Sequence, residues 1–318
     1  MKAVFLDFAT VSRGDLDVAP LERALPGIEL HDVTAKSTLA KRVADAEVII
    51  TNKVRIDTAV MQAAPRLELV ALVATGTDNV DLEAARQRGI AVCNIRGYCT
   101  ASVVQHVYAL VLALTHHLEG YQRLLREGAW LESPQFCLLD YPIRELAGKT
   151  LGIVGFGELG RAVAAAAPAF GLEVAVAERR GREPRPGRTA FDALVERVDI
   201  LSLHCPLTPE TRGLVGRAEL ARMRGDALLV NTARGALVDE AALAEALRNG
   251  EIGGAGIDVL SEEPPVAGNP LLAPGIPNLI VTPHIAWAAR EARQRALDAV
   301  VANVSDFQAG GRRGCVDL

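Results

Sequence analysis

Arg234, Glu263 and His284 are residue types that together can move a proton to or from a substrate. Each lies just past a short apolar run: Arg234 in NTARG, Glu263 in GIDVLSEEPP and His284 in TPHIAW. An imidazole can give or take a proton near neutral pH. A carboxylate on its other nitrogen fixes the tautomer and favours the charged form. A guanidinium can grip a carboxylate through its planar fork and polarise a neighbouring carbonyl oxygen. Each residue also has an ordinary explanation. Arg234 can cap a helix or bridge to Asp239, Glu262 and Glu263 can form a solvated acidic turn, and His284 can be a loop histidine. Three such groups at strand ends beside a nucleotide loop point to a site more strongly than any one alone. His106 and His204 read as structural, His106 inside a buried helix.

The elements that must position these groups form two α/β series. In the first, AVFLDF (3–8), IELHDV (28–33), EVIITN (47–52), LELVALVA (67–74) and IAVCNI (90–95) read as strands with room for a helix between most neighbours. Such alternation predicts a parallel sheet covered on both faces. In the second, TLGIVGFG, LEVAVAE, VDILSLHC, ALLVNTA, GGAGIDVL and NLIVTPH predict six strands. Ligands of open α/β sheets bind beyond the carboxyl ends of the strands, where the candidate residues fall. SVVQHVYALVLALTHHL (102–118) is apolar nearly all round and predicts one mostly buried helix. Segment 119–147, with Trp130, Pro134, Phe136 and Tyr141, is expected to be irregular and to reach toward a second subunit, making 102–147 a homodimer interface. The tail predicts a helix with Leu297, Val300, Val301 and Val304 on one stripe.

LGIVGFGELGRAVA places Gly155, Gly157 and Gly160 as G-x-G-x-x-G between a strand and an alanine-rich helix, with Glu178 about twenty residues on. Gly155 suits a tight turn, Gly157 the close approach of a pyrophosphate, and Gly160 the packing of helix on strand. Glu178 is placed to accept from ribose hydroxyls, which favours NAD. ERRGREPRPGR (178–188) holds five arginines. Arg179 and Arg180 can neutralise a 2′-phosphate and admit NADP, although such a run ordinarily reads as a solvated basic loop.

Composition sets the outer bounds. A chain of 318 residues predicts two domains. A net charge of −5 argues against nucleic acid or an anionic membrane as partner. MKAVFLDFAT reads as a strand rather than a signal peptide, and no apolar run is long enough for a membrane span. The five cysteines are scattered without a CxxC pair, which predicts neither a disulfide frame nor a zinc site, and a reducing cytoplasm as home.

VGFGELGR, LSLHCPLTPETRGLV, LLVNTARGALVDEAAL, GAGIDVLSEEPP and NLIVTPHIAW together resemble the D-2-hydroxyacid dehydrogenase family, over nearly the whole chain. The resemblance implies a Rossmann NAD-binding domain (99–287) inserted in a flavodoxin-like substrate domain (1–98 with 288–318), closing about a hinge on a small 2-keto or 2-hydroxy acid. It implies that Arg234, Glu263 and His284 are catalytic, with Glu263 preferred to Glu262 because it directly precedes the proline. The cofactor contacts it implies are Gly155, Gly157, Glu158, Leu159, Gly160, Glu178, Arg179, Cys205, Pro206, Thr211, Thr232, Ala233, Arg234, Asp258 and His284, with NAD as cofactor and NADP possible. Lys53, Thr75, Gly76, Arg234, His284 and Trp287 are the implied substrate contacts; Trp287 reads equally as a hydrophobic plug at the hinge. Gln105 stands where many members have glutamate. TNKV (51–54), AERRG (177–181) and HIAW are nearest the branch that acts on glycerate and hydroxypyruvate, with glyoxylate or D-lactate-type reduction as alternatives. The resemblance also takes in NADH-sensing corepressors, disfavoured here because no peptide-docking extension is evident.

Overall fold

The computed structural model describes residues 1–316. Two compact units emerge, Met1–Cys99 with the segment from Trp287 onward, and Thr100–Ala286.

In the first unit, β1 (Ala3–Phe5), β2 (Glu29–Leu30), β3 (Val48–Thr51), β4 (Leu69–Leu72) and β5 (Ala91–Cys93) form a parallel sheet in the order β2-β1-β3-β4-β5. This is the flavodoxin-like order. Every residue of β3 and β4 is buried, which accounts for their unbroken apolar sequence. Neighbouring residues feed opposite faces. Ile50, Ala71 and Cys93 pack with Phe5 and with Leu297, Val300 and Val304 of the Arg290–Gln308 helix. Ile49, Val70 and Leu72 pack with Val43, Met61 and Ala85. The terminal apolar stripe is therefore used to cover the first sheet.

In the second unit, β6 (Thr150–Val154), β7 (Glu173–Val176), β8 (Ile200–Leu203), β9 (Leu228–Asn231), β10 (Gly254–Ile257) and β11 (Leu279–Val281) form a parallel sheet in the order β11-β10-β9-β8-β6-β7. A single parallel bridge from Thr189 to Ala177 extends it beyond β7. Counted as a strand reduced to one pair, Thr189 completes the Rossmann arrangement. Strand order reverses between β6 and β8, so the crevice for a dinucleotide lies at the carboxyl end of β6.

The Thr100–Thr115 helix buries Val103, Val107, Leu110, Val111 and Leu114, and exposes Ala101, Gln105 and Ala109 along one stripe. The expectation of one helix to 118 followed by irregular chain needs correcting. The first helix stops at Thr115, His117 takes a left-handed φ of 47°, and a second helix runs over Leu118–Arg126. This helix buries none of its residues in the protomer, yet Leu118, Tyr121, Leu124 and Leu125 recur at helical spacing and form one apolar stripe. From within it Tyr121 Oη donates to the Tyr141 carbonyl at 2.9 Å, and beyond it Trp130 Nε1 donates to the Phe136 carbonyl at 3.0 Å. No helix among the described residues is long and apolar enough to cross a membrane.

Candidate active site

Past β11 the chain turns through Thr282 and Pro283 to His284. Its Nδ1 lies 2.6 Å from Glu263 Oε2, while Glu263 Oε1 accepts the Leu260 N–H at 2.8 Å. An ionised Glu263 makes Nδ1 the donor and so fixes the tautomer of the ring, in which Nε2 is the proton-accepting nitrogen of the neutral imidazole. His284 has φ 56°, a conformation that costs a β-carbon residue on the order of 1 kcal/mol and persists only where the surroundings impose it. Asp258 imposes it. Its main-chain carbonyl accepts the His284 N–H at 2.8 Å. Its buried carboxylate accepts the Thr282 hydroxyl at 2.6 Å, the Ile285 N–H at 2.9 Å and the Ala286 N–H at 2.8 Å. His106 Nε2 lies 3.0 Å from the Thr282 hydroxyl and 3.5 Å from Asp258 Oδ1. His106 thus belongs to the support of the His284 loop. Sequence reasoning left it as structural, and only its place on a buried helix could have hinted at more.

The loop after β9 is fixed similarly. Buried Asn231 accepts the Ala233 N–H at 3.0 Å and donates to the Arg234 carbonyl at 2.8 Å. Arg234 Nη1 donates to the Ala233 carbonyl at 2.8 Å. A Cβ on Gly235 would sit 1.9 Å from the Leu260 carbonyl carbon, so the glycine is what lets the Arg234 segment lie against the loop carrying Glu263. Asp239 caps the Glu240–Arg248 helix. The Thr232 hydroxyl is buried without a hydrogen-bond partner among the described residues.

The glycine loop divides its three glycines by cause. Gly155 has φ +91°, and a Cβ there would meet the Cys205 nitrogen at 2.4 Å. A Cβ on Gly160 would meet the Gly155 carbonyl oxygen at 2.0 Å, so helix Glu158–Ala166 packs on β6 only because it is absent. Gly157 has an ordinary φ of −77°, and its Cβ would enter open space. Neither backbone nor packing asks for glycine at 157, whereas the approach of a phosphate group does. Glu158 accepts from the Thr100 hydroxyl, and Leu159 follows it in the first turn. Thr211 Oγ1 donates to the Pro206 carbonyl at 2.8 Å, closing the 206–211 turn. Burial pushes the Cys205 thiol up to about 11 and the His204 imidazole down to about 4.

Glu178 is 4 % exposed. Arg185 holds it, with Nε 2.6 Å from Oε2 and Nη2 3.0 Å from Oε1, and the Arg179 N–H adds a 2.9 Å bond. The Arg185 hydrogen bonds, then the Arg179 N–H, take its carboxyl down to about 2. Arg180 pairs with Glu219 at 2.5 Å, and Arg188 lies 4.7 Å from the Phe156 ring centroid. The arginine run is thus more than a solvated loop, because buried acids and a ring of the glycine loop receive three of its guanidiniums. An open Gly157, an orphaned Thr232 hydroxyl and an acid beyond β7 are features a dinucleotide would use.

In the first unit, buried Asp7 accepts the Asn52 and Lys53 N–H groups at 2.9 and 2.6 Å and so sets the turn that carries exposed Lys53. Thr75 is exposed; its hydroxyl donates to the Ile95 carbonyl at 2.8 Å, and its carbonyl accepts from Asn94 at 2.7 Å. Gly76 follows, half-buried. Trp287 packs on the first unit's core, edge-to-face with Tyr98 at 6.3 Å between centroids.

A Rossmann sheet with this glycine loop, and with an imidazole–carboxylate pair past its strand ends, defines a nicotinamide-dependent oxidoreductase. The sequence profile of the D-isomer specific 2-hydroxyacid dehydrogenase NAD-binding domain matches residues 108–286. The chain belongs to that family, and its cofactor is NAD(P). It is 42 % identical to a glycerate dehydrogenase of Methylorubrum extorquens over 99 % of both chains, and 38 % identical to a hydroxypyruvate reductase of Blautia hydrogenotrophica over 98 % of both. The crystal structure of the TT0316 protein from Thermus thermophilus is similar along the full length of both chains, with a TM-score of 0.88 and 38 % identity.

Proposed function

We propose that this enzyme is a glycerate dehydrogenase, reducing hydroxypyruvate to D-glycerate and catalysing the reverse oxidation. The observation that carries the proton chemistry is the 2.6 Å contact of His284 Nδ1 with Glu263, past a strand of the same sheet that ends in the glycine loop. The choice of substrate draws on the names of the similar proteins of Methylorubrum and Blautia.

When bound, a dihydronicotinamide would supply the hydride that C2 of the keto acid takes up. Arg234 grips the substrate carboxylate and polarises the keto oxygen. His284 Nε2 delivers its proton to that oxygen as charge builds there, and takes it back in the oxidative direction. Glu263 holds the ring in the required tautomer and balances the imidazolium. Gly157, Glu178 and Thr232 are assigned to the dinucleotide. Substrate roles for Lys53, Thr75, Gly76 and Trp287 rest on the resemblance of their segments.

The test is the initial rate of reduction of hydroxypyruvate, glyoxylate and pyruvate, each with NADH and NADPH. The expected result is the highest kcat/KM with hydroxypyruvate. A higher value with glyoxylate or pyruvate would reassign the substrate, and cofactor binding without consumption of any acid would remove the enzymatic reading.

The same reading includes a homodimer. Leu131, Phe136 and Leu139, all in one segment of nine residues, are 92 %, 90 % and 77 % exposed, apolar surface that a partner subunit would cover. Sedimentation is expected to give twice the chain mass, and Leu131→Asp with Phe136→Asp to give monomers. A monomeric parent would overturn the assignment. The free cysteines fit a reducing compartment such as the cytoplasm.

A further inference from the structure

Cys93 ends β5, the edge strand of the first sheet. After the Arg290–Gln308 helix the chain turns back, and Cys315 forms an antiparallel bridge with Cys93. The Asn94 N–H donates to the Gly314 carbonyl at 2.9 Å and the Val316 N–H to the Val92 carbonyl at 2.8 Å, so hydrogen bonds flank the cysteines on both sides. That pattern makes them a non-hydrogen-bonded pair, in which facing side chains come closest. Their sulfurs are 2.8 Å apart, less than an ångström beyond the disulfide bond length of about 2.05 Å. The turn is fixed from elsewhere too. Asp306 accepts the Arg313 N–H at 2.7 Å, and Asn303 donates to the Asn94 carbonyl at 2.9 Å. Cys93 is fully buried in the core, whereas Cys315 is half-buried and lines a groove of about 640 Å³ with Val92, Phe307, Arg312 and Val316. One thiol is therefore open to small reagents and the other is protected directly behind it.

We propose that Cys93 and Cys315 are a redox modification site, closing reversibly to a disulfide that latches the carboxyl-terminal turn onto the edge of the first sheet when the protein meets a peroxide. The groove admits the oxidant to Cys315. The Cys315 sulfur, as its thiol gives up its proton, takes one hydroxyl of hydrogen peroxide; the O–O bond breaks, and the other hydroxyl leaves as water with that proton, giving a sulfenic acid. The Cys93 sulfur then attacks the Cys315 sulfur. The S–S bond forms, the S–O bond breaks, and the hydroxyl leaves as a second water with the Cys93 proton. Two thiols lose two electrons and two protons, and one peroxide becomes two waters. A dithiol reverses the reaction by exchange. A separation of 222 positions along the chain hid this pair from sequence reasoning, which saw only scattered thiols.

The experiment treats the full chain with hydrogen peroxide, blocks remaining thiols with N-ethylmaleimide, and measures intact mass and a non-reducing peptide map. The expected product is about 2 Da lighter before alkylation and carries one cross-linked peptide pair holding Cys93 and Cys315, both restored by dithiothreitol. Cys315→Ser, at the half-buried position, is expected to fold and to lose the cross-link. Cys93→Ser is expected to leave a Cys315 sulfenic acid that dimedone traps. Alkylation of both cysteines after peroxide, oxygen adducts on Cys315 in the parent chain without a cross-link, or cross-links only between molecules would each overturn the proposal. In the oxidised form, amide exchange at Val92 to Asn94 is expected to slow; unchanged exchange with the bond in place would remove the latch.

Discussion

Asp258 and Glu178 stand beyond the carboxyl ends of two strands of one sheet, and both are almost wholly buried, at 1 % and 4 % exposure. Asp258 commits its oxygens to a hydroxyl and two main-chain N–H groups of the loop that carries His284. Glu178 commits most of its capacity to Arg185, a side chain 68 % exposed. The first carboxylate cannot change partners without releasing the loop. The second can exchange its guanidinium for a ribose hydroxyl at little cost, because the arginine returns to water. A buried acid at a strand end is thus a fixture or a ligand site according to what its partners can do without it.

The sharpest way to break this comparison is Asp258→Asn, which replaces one acceptor oxygen by a donor facing N–H groups. We expect a loss of about 2–3 kcal/mol of stability by denaturant melt, with turnover falling about tenfold as His284 loses its position. Unchanged stability would return Asp258 to the role of a mere cofactor contact. Arg234→Lys is expected to fold normally and to raise the substrate KM roughly 10–100-fold, because an ammonium cannot reproduce the fork. An unchanged KM would mean that the carboxylate is gripped elsewhere.

His204, on the central part of the same sheet, gives a pH signature. Burial lowers its folded pKa from 6.5 to about 4, so in that window the unfolded chain binds the proton and the fold does not. This contribution is complete above the unfolded value and is lost as pH falls toward the folded one. It should lower stability by about 1–2 kcal/mol between roughly pH 7 and pH 5. His204→Gln should remove that part of the slope in paired melts, and an identical slope in both chains would exclude it. The smallest expected effect is at Arg185→Ala. Freeing Glu178 should improve NADH over NADPH a few-fold in kcat/KM, roughly one lost charge-assisted contact. An unmoved ratio would make the Glu178–Arg185 pair a fixture as well.

All eleven strands were legible: β1, β3, β4, β8, β9 and β10 are buried throughout and read as short, mostly apolar runs, and the more exposed β2 and β7 were read from the alternation of strand and helix. The helix Leu118–Arg126 was missed even though Leu118, Tyr121, Leu124 and Leu125 recur at helical spacing, because only His116 and His117 separate it from the preceding helix, with no glycine or proline to mark the break. The residue types at Arg234, Glu263 and His284 could be read from their places after strands. The supports could not. Asp258 and His106 act on a loop distant from them in sequence, Asn231 acts through hydrogen bonds to the turn that follows it, and Gly235 acts through a close approach that only coordinates display. Arg185 was one of five arginines with nothing local to single it out as the partner of Glu178.

The central claim is that His284, oriented by Glu263, moves the proton. It is tested most directly by NADH consumption with hydroxypyruvate in His284→Ala, alongside a fluorescence titration of NADH binding on the same preparation. The account predicts a turnover about 10²–10⁴-fold below the parent with cofactor affinity unchanged. A variant that binds NADH and turns over within about tenfold of the parent would contradict it.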